Sequence, residues 1–195
     1  PLDEYKFEME NFCTAKVKDL SDLALAKRRG EMRMAGIVVE AQHRMTKGGK
    51  PFGILVLEGY NENFRFFLFS DDYVKYKSYL TLGWFLFLKG KVQERRYGDE
   101  LEFKISGIEL LSDLRDKMAK EVVVEVDVND VDEEMISWFK ELGKEKLGTC
   151  HLQFKLLDKK NKNIIQLKSR SIKLNLTNEV IHKLNNHPKL EYSVN

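Results

Sequence analysis

The sequence predicts a mainly β, five-stranded barrel followed by a small α+β domain. Three observations predict it. Five segments rich in β-formers lie between Glu31 and Leu111, one helical pattern interrupts them after the third, and beyond Leu111 short strands alternate with helical stretches. Elements that short can bury their apolar faces only as a helix-covered sheet.

Residues 1–30 mix short apolar groups with charges ("YKFEMENF", "VKDLSDLALAKRRG") and are expected to form a short helix and a capped turn, a lead-in to the next element. The first strand, "EMRMAGIVVEAQHRMT", is long and broken by Gly36, which suits a sharp bend. "KGGKP" turns the chain, "FGILVLEGY" and "FRFFLFS" follow around "NEN", and "DDYVKYKSYL" is helical, capped by Asp71 or Asp72 and closed by Gly83. "WFLFLKGKVQER" and "ELEFKISGIELL" complete the set around "RYGD", with Gly98 at the permissive turn position. Three strands, a helix and two strands, with a bent first strand, are the arrangement of the OB barrel. Its ligand face lies on strands 2 and 3, beside the loops joining strands 1 to 2 and 4 to 5. The barrel is assigned to residues 31–112.

Residues 113–195 form the second domain. "SDLRDKMAK" is a polar helical connector. The strand "EVVVEVDV", the helix "DEEMISWFKELG" opened by Asp132, the strand "TCHLQFKLLD", the charged tip "KKNKN", the strand "IIQLKSRSIKL", the helix "NEVIHKLNN" capped by Thr177, and the strand "KLEYSV" follow.

With 33 basic and 31 acidic residues the formal charge is only +2, which argues against a purely electrostatic nucleic-acid binder. Any anion site must be a local patch. Cys13 and Cys150 stand alone, without CxxC spacing or clustered histidines, so neither a disulfide framework nor a zinc site is suggested and a reducing cytoplasm fits. The apolar runs are far shorter than the roughly 20 residues a membrane helix needs. The start at "PLDEY", without an initiator Met, suggests an excised fragment. No cofactor or metal is expected.

Single-strand-binding OB barrels combine cations for the backbone with exposed rings for the bases. In the first loop region Arg44, Lys47 and Lys50 flank Gly48 and Gly49, which would let backbone amides approach a phosphate, and Phe52 stands at the mouth of strand 2. Arg65 and Phe67 share a parity on strand 3, and Arg95, Arg96 and Tyr97 form a second basic and aromatic tip. Phe52 also shares its parity with Ile54 and Val56, so a core role fits it equally. Enzymatic readings have little support. "TKGGK" lacks P-loop spacing, His43, His151, His182 and His187 are scattered, and the Asp71–Asp72 and Glu133–Glu134 pairs are explained as helix starts. In the second domain Trp138 and Phe139 point about 100° apart on one helix, so one of them is a candidate partner anchor; the alternative is that both border the core.

Several stretches appear in one order and spacing: "PLDEYKFEMENF", "AGIVVEAQHRMTKGGKPFGILVLEGY", "FLFSDDYVKYKSYLTLG" and "LKGKVQERRYGDELEFKISGIELLSDLR". In these the chain resembles the C-terminal region of the bacterial replicative DNA polymerase III alpha subunit; after residue 113 the likeness is mainly one of element order. The resemblance implies an OB unit that handles single-stranded template DNA and a last domain that docks the clamp-loader tau subunit, among other replisome proteins. It makes Thr46 to Phe52 the template-side loop and Arg95 to Tyr97 its neighbour. The family's catalytic carboxylates lie upstream, so this segment is expected not to polymerise DNA. Relatives carry an acid where Gly59 stands and Glu where Arg65 stands, which implies a more basic face here. The alternative is that both domains dock proteins and the barrel face is an interaction surface.

Overall fold

β1 spans Glu31–Met45 and serves two partners in turn. Its first half pairs with β4 (Phe85–Glu94) and its second with β2 (Pro51–Glu58), exchanging at Ile37. The computed structural model describes residues 2–95, 98–144 and 148–195. The chain divides into two units, one ending at Leu114 and one beginning at Arg115.

In the first unit β3 (Asn63–Phe69) and β5 (Leu101–Leu110) complete an antiparallel sheet of order β3-β2-β1-β4-β5. The order is that of the expected OB meander. β3 and β5 are the sheet's edges, and Phe66 meets Phe103 edge-on across the interior at 5.6 Å. Leu55, Leu57, Phe66 and Leu68 are at most 2% exposed. Each contributes roughly 1.5 to 3 kcal/mol by leaving water.

The irregularity in the β1 ladder does not fall at Gly36. The register slips three residues later, between Val38 and Glu40, so Val39 is an extra residue on β1. Gly36 serves a close approach instead: a Cβ there would lie 2.4 Å from the Glu58 carbonyl oxygen. The bulge reverses the side-chain parity. Before it Met32, Met34 and Val38 point into the core; after it Ala41 packs inward, and Glu40, Gln42 and Arg44 take the outer face.

Residues 1–30 are more than a lead-in. Besides two 3-10 turns they form α1 (Lys6–Phe12) and α2 (Leu23–Lys27), and Ala15, Val17, Leu20 and Ala26 belong to the same buried cluster as the barrel strands. The Thr14 and Ala15 amides donate to the Arg33 carbonyl, which ties the segment to β1. The helix after β3, α3 (Ser70–Tyr76), is shorter than expected and starts differently. Its N-cap residue is Phe69, without a side-chain bond, and Asp72 pairs with Lys104 on β5 rather than capping. Gly83, at φ +81°, lies beyond a further 3-10 turn and leads into β4 rather than closing the helix.

α4 (Leu111–Met118) is the helical connector, and the division between units falls within it. The second unit has a four-stranded sheet of order β8-β7-β6-β9, formed by β6 (Glu121–Asp127), β7 (Cys150–Asp158), β8 (Asn163–Leu174) and β9 (Leu190–Val194). β6 and β7 are parallel and the other pairs antiparallel. A parallel pair needs a crossover, and α5 (Glu133–Leu142) supplies it; α6 (Asn178–Asn185) joins β8 to β9. Both start at the expected caps, with Asp132 accepting from the Met135 amide at 2.8 Å and Thr177 from the Val180 amide at 3.2 Å. Phe139 of α5 meets Phe154 edge-on, and Tyr192, opposite Val124, donates to Asn185 of α6. Since Phe154 also pairs with Val124, both helices cover one face of the sheet. Among the described residues no helix is long and apolar enough to cross a membrane.

Candidate nucleic-acid interface

The ladders β1–β2 and β2–β3 place nine outward side chains in three rows: Arg44–Phe52–Phe69, Gln42–Ile54–Phe67 and Glu40–Val56–Arg65. Cross-strand neighbours in such rows have Cβ atoms about 5 Å apart, so the rows form one continuous surface. Phe69 and Phe67 are 48% and 46% exposed, and Phe52 is half-buried. The Phe52 and Phe69 rings stack at 5.3 Å and 24°, and the Phe67 and Phe69 rings lie parallel within 9° at 6.1 Å. A ring on a strand cannot easily collapse into a neighbour already filled by another ring. The three therefore support one another as a cluster of partly exposed rings on the outer face.

The sequence left Phe52 between two roles. Its face is the outer one, shared with Ile54 and Val56, but those two are covered by their neighbours while Phe52 is part of the partly exposed cluster. Phe67 is outward as expected. Phe69 was missed, although it has the parity of Arg65 and Phe67; the run of aromatics at Phe64, Phe66 and Phe69 hid the alternation. In the structure Phe66 and Leu68 are the inward members.

The cations divide into two kinds. Arg44, Lys47 and Lys50 are exposed, lie at the Phe52–Phe69 end of the face, and among the described residues have no ion pair. Arg44 donates from Nε to Gln42 at 2.5 Å, which steers its guanidinium without neutralising it. Arg65, by contrast, crosses Val56 to Glu40 at 3.1 Å, and Glu40 also accepts from Gln42 at 2.6 Å. The arginine is spent on a carboxylate, so it does not make the face more basic. Arg95 is likewise held by Glu100 at 2.5 Å and lies 3.8 Å from Glu102 on its own hairpin. Arg96 and Tyr97 lie outside the described residues.

In the "TKGGK" turn the amide of Gly49, one of the two glycines expected to approach a phosphate, is already used. Gly49, at φ +74°, donates its amide to the Thr46 carbonyl at 2.9 Å, and the Lys50 amide donates to Thr46 Oγ1 at 3.1 Å. Those amides are engaged and cannot cradle a phosphate. Gly48 is an exposed turn residue beside Lys47. The glycines shape a tight turn, and the lysine side chains supply the charge.

Elsewhere, burial pushes the Cys13 thiol up to about 12 against the lowering influence of Arg33. Burial, reinforced by Glu121, pushes Cys150 up to about 11. Thiols so held stay protonated and are poor nucleophiles. Among the described residues no group of three or more His, Cys, Asp or Glu is arranged to hold a metal. Of the two candidate anchors in the second unit, Phe139 is 3% exposed and belongs to the core, with its edge lining an apolar groove beside α5. Trp138 is half-buried, 4.6 Å from the His187 ring.

Residues 32–111 match the model of an OB-fold nucleic acid binding domain, and residues 122–195 match that of the DNA polymerase III alpha subunit, C-terminal domain. In sequence the chain is similar to the C-terminal region of DNA polymerase III alpha subunits. The alpha subunit of Pseudomonas fluorescens is 20% identical over 166 residues, 85% of this chain and 14% of that protein. That of Escherichia coli K12 is 24% identical over 161 residues, 81% of this chain and 14% of that protein. That of Buchnera aphidicola is 27% identical over 124 residues, 64% of this chain and 10% of that protein. The chain thus spans about a tenth to a seventh of these alpha subunits. Among solved structures, a replication protein A heterotrimer bound to single-stranded DNA covers 72% of this chain and 35% of that chain at 13% identity. Its TM-score of 0.34 is too low to argue from.

Proposed function

We propose that the chain is a non-catalytic C-terminal part of a cytoplasmic replicative DNA polymerase, a DNA-directed nucleotidyltransferase, in which residues 31–112 bind single-stranded template DNA and residues 113–195 dock the clamp-loader tau subunit. The observation that supports the first half is the Phe52–Phe67–Phe69 cluster with unpaired Arg44, Lys47 and Lys50 at one end. Bases stack on exposed rings at about 1 to 3 kcal/mol each, and the three cations take the phosphates alongside. Binding is weak and tolerant of sequence, because stacking reads no base edge and three phosphates are few. At about 0.7 per phosphate, log affinity falls with log salt at a slope of roughly 2.

The test is a titration with a labelled single-stranded oligonucleotide, followed by anisotropy at low and physiological salt, with duplex DNA as control. Single strands bind preferentially with a slope near that value, and the Arg44→Ala, Lys47→Ala, Lys50→Ala triple variant brings the slope close to zero while its circular dichroism is unchanged. One observation favours a second reading, in which the face docks a protein. The ion pairing of Arg65 and Arg95 leaves rings exposed with few free charges beside them. Absence of single-strand binding even at low salt would turn the assignment to that reading.

A further inference from the structure

β8 is an edge strand of the second sheet, and its first half is unusually apolar for an exposed edge. Ile164, Ile165 and Leu167 are 63%, 45% and 48% exposed. Natural edges are normally blunted, because their outward backbone amides and carbonyls form a template for another strand. Here the regular ladder with β7 runs from Asn163 to Lys168 and only then becomes irregular, so the free edge is straight over the apolar residues.

One of these residues, Leu167, lines a groove, and Ile165 lies on the same face two residues away. Leu167 pairs with Phe154 and Ile165 with Leu156, on the face that α5 covers. The C-cap of α5 lies close to β8, where a Cβ on Gly143 would be 2.4 Å from Ile172. Between α5 and the β7–β8 ribbon lies the groove of about 260 Å³, lined by Val126, Met135, Ile136, Phe154, Leu156 and Leu167 among others, with Lys140 as its charged member. The opposite face of the ribbon is charged, with Lys155 paired to Glu125 and Lys168 to Glu121.

Charge identifies the occupant. From Lys159 to Leu174 the hairpin tip and β8 contain six cations and no carboxylate. Among the described residues Lys160, Lys162, Arg170 and Lys173 have no ion pair. A nucleic acid would meet these cations but not the apolar groove. A helix would fill the groove but leave the strand edge's backbone groups to water. An extended peptide alternating apolar and acidic residues satisfies all three: its backbone extends the sheet, its apolar side chains enter the groove, and its carboxylates meet the cations. We propose that the β8 edge and this groove are a docking site for such a segment of a partner protein. The proposal rests on the reading of the second unit as a partner-docking domain and gives that reading a place and a mode.

The test uses the whole chain and a fluorescein-labelled ten-residue peptide alternating valine and glutamate, with tau as a second ligand. Wild type takes up the peptide in a salt-sensitive way. The I165E/L167E variant, altered only at exposed positions, weakens it by about ten-fold or more, and K162E/R170E weakens it several-fold. Circular dichroism confirms that both variants fold. No uptake by wild type, equal uptake by I165E/L167E, or equal uptake of a lysine–valine peptide would overturn the proposal, as would displacement of the peptide by single-stranded DNA. Tau binding that is indifferent to the peptide and to I165E/L167E would also overturn it while leaving the tau-docking reading intact. Peptide binding without tau binding would uphold the site and remove tau as its occupant.

Discussion

The two sheets expose apolar side chains in opposite ways. On the barrel, Phe67 and Phe69 stand on a sheet face, packed with Phe52 and flanked by Arg44, so what they offer is a cluster of rings with the backbone hidden in the ladder. On the second sheet, Ile165 and Leu167 stand at a sheet edge, where the backbone is as available as the side chains. The first geometry suits a planar base and the second a strand. Exposed hydrophobic area alone would not have told them apart.

The comparison can be broken most severely through the backbone. Gly36→Ala forces a Cβ within 2.4 Å of the Glu58 carbonyl, and Gly148→Ala forces one within 2.5 Å of the Lys173 carbonyl. Neither neighbour is a flexible side chain, so each substitution should cost about 3 kcal/mol. The first should abolish oligonucleotide binding and leave peptide binding, and the second the reverse. Thermal unfolding followed beside the two titrations checks both, and a joint loss in either variant would mean that the units do not fold independently.

Next in size is Phe67→Ala with Phe69→Ala. At about 1 to 3 kcal/mol per stacked base, single-strand affinity should fall by about ten-fold or more, with no change in peptide uptake. The smaller effect that sharpens the picture is Glu40→Gln. It releases Arg65 from its 3.1 Å pair beside the cluster, so single-strand affinity should rise a few-fold and the salt slope should steepen; an unchanged slope would mean that Arg65 stays out of reach of the phosphates.

The smallest concerns pH. The Met135 amide bond, and then Lys189, hold the Asp132 carboxyl below its usual range. A depressed folded value means stability that is present above the ordinary carboxylate pKa of about 3.9 and lost as pH falls through the lower folded value. Asp132→Asn, which can still cap α5, should flatten the acid limb of the second unit's unfolding curve and leave that of the barrel alone. An unchanged acid limb would show that the cap, not its charge, carries the contribution.

Local signals in the sequence were read correctly where local chemistry decides. Asp132 and Thr177 cap their helices because an N-cap needs only a side-chain oxygen within three residues of a free amide. Phe67 was legible from its parity with Arg65, and the same count, carried two residues further, finds Phe69. Lys47, Lys50 and Arg44 sit at the mouth of the face as their spacing around the turn suggested. The failures were non-local. Whether Arg65 and Arg95 are free depends on Glu40 and Glu100, and whether the loop amides are free depends on Thr46. Asp72 looked like a cap until Lys104, 32 residues away, was brought beside it.

By itself the sequence determined the order of strands and helices, their caps, and the collection of basic and aromatic residues around one turn, because hydrophobic period and capping act over a few residues. Only the tertiary structure decided which faces those residues occupy. A single extra residue at Val39 reverses the parity of β1 and carries Arg44 to the outer face. Burial of Val17 and Leu20 turns the opening segment into part of the barrel core. The position of β8 at the sheet edge leaves Ile165 and Leu167 uncovered. Each depends on pairing between residues far apart in the chain, and a pattern read within one segment carries no information about its partner.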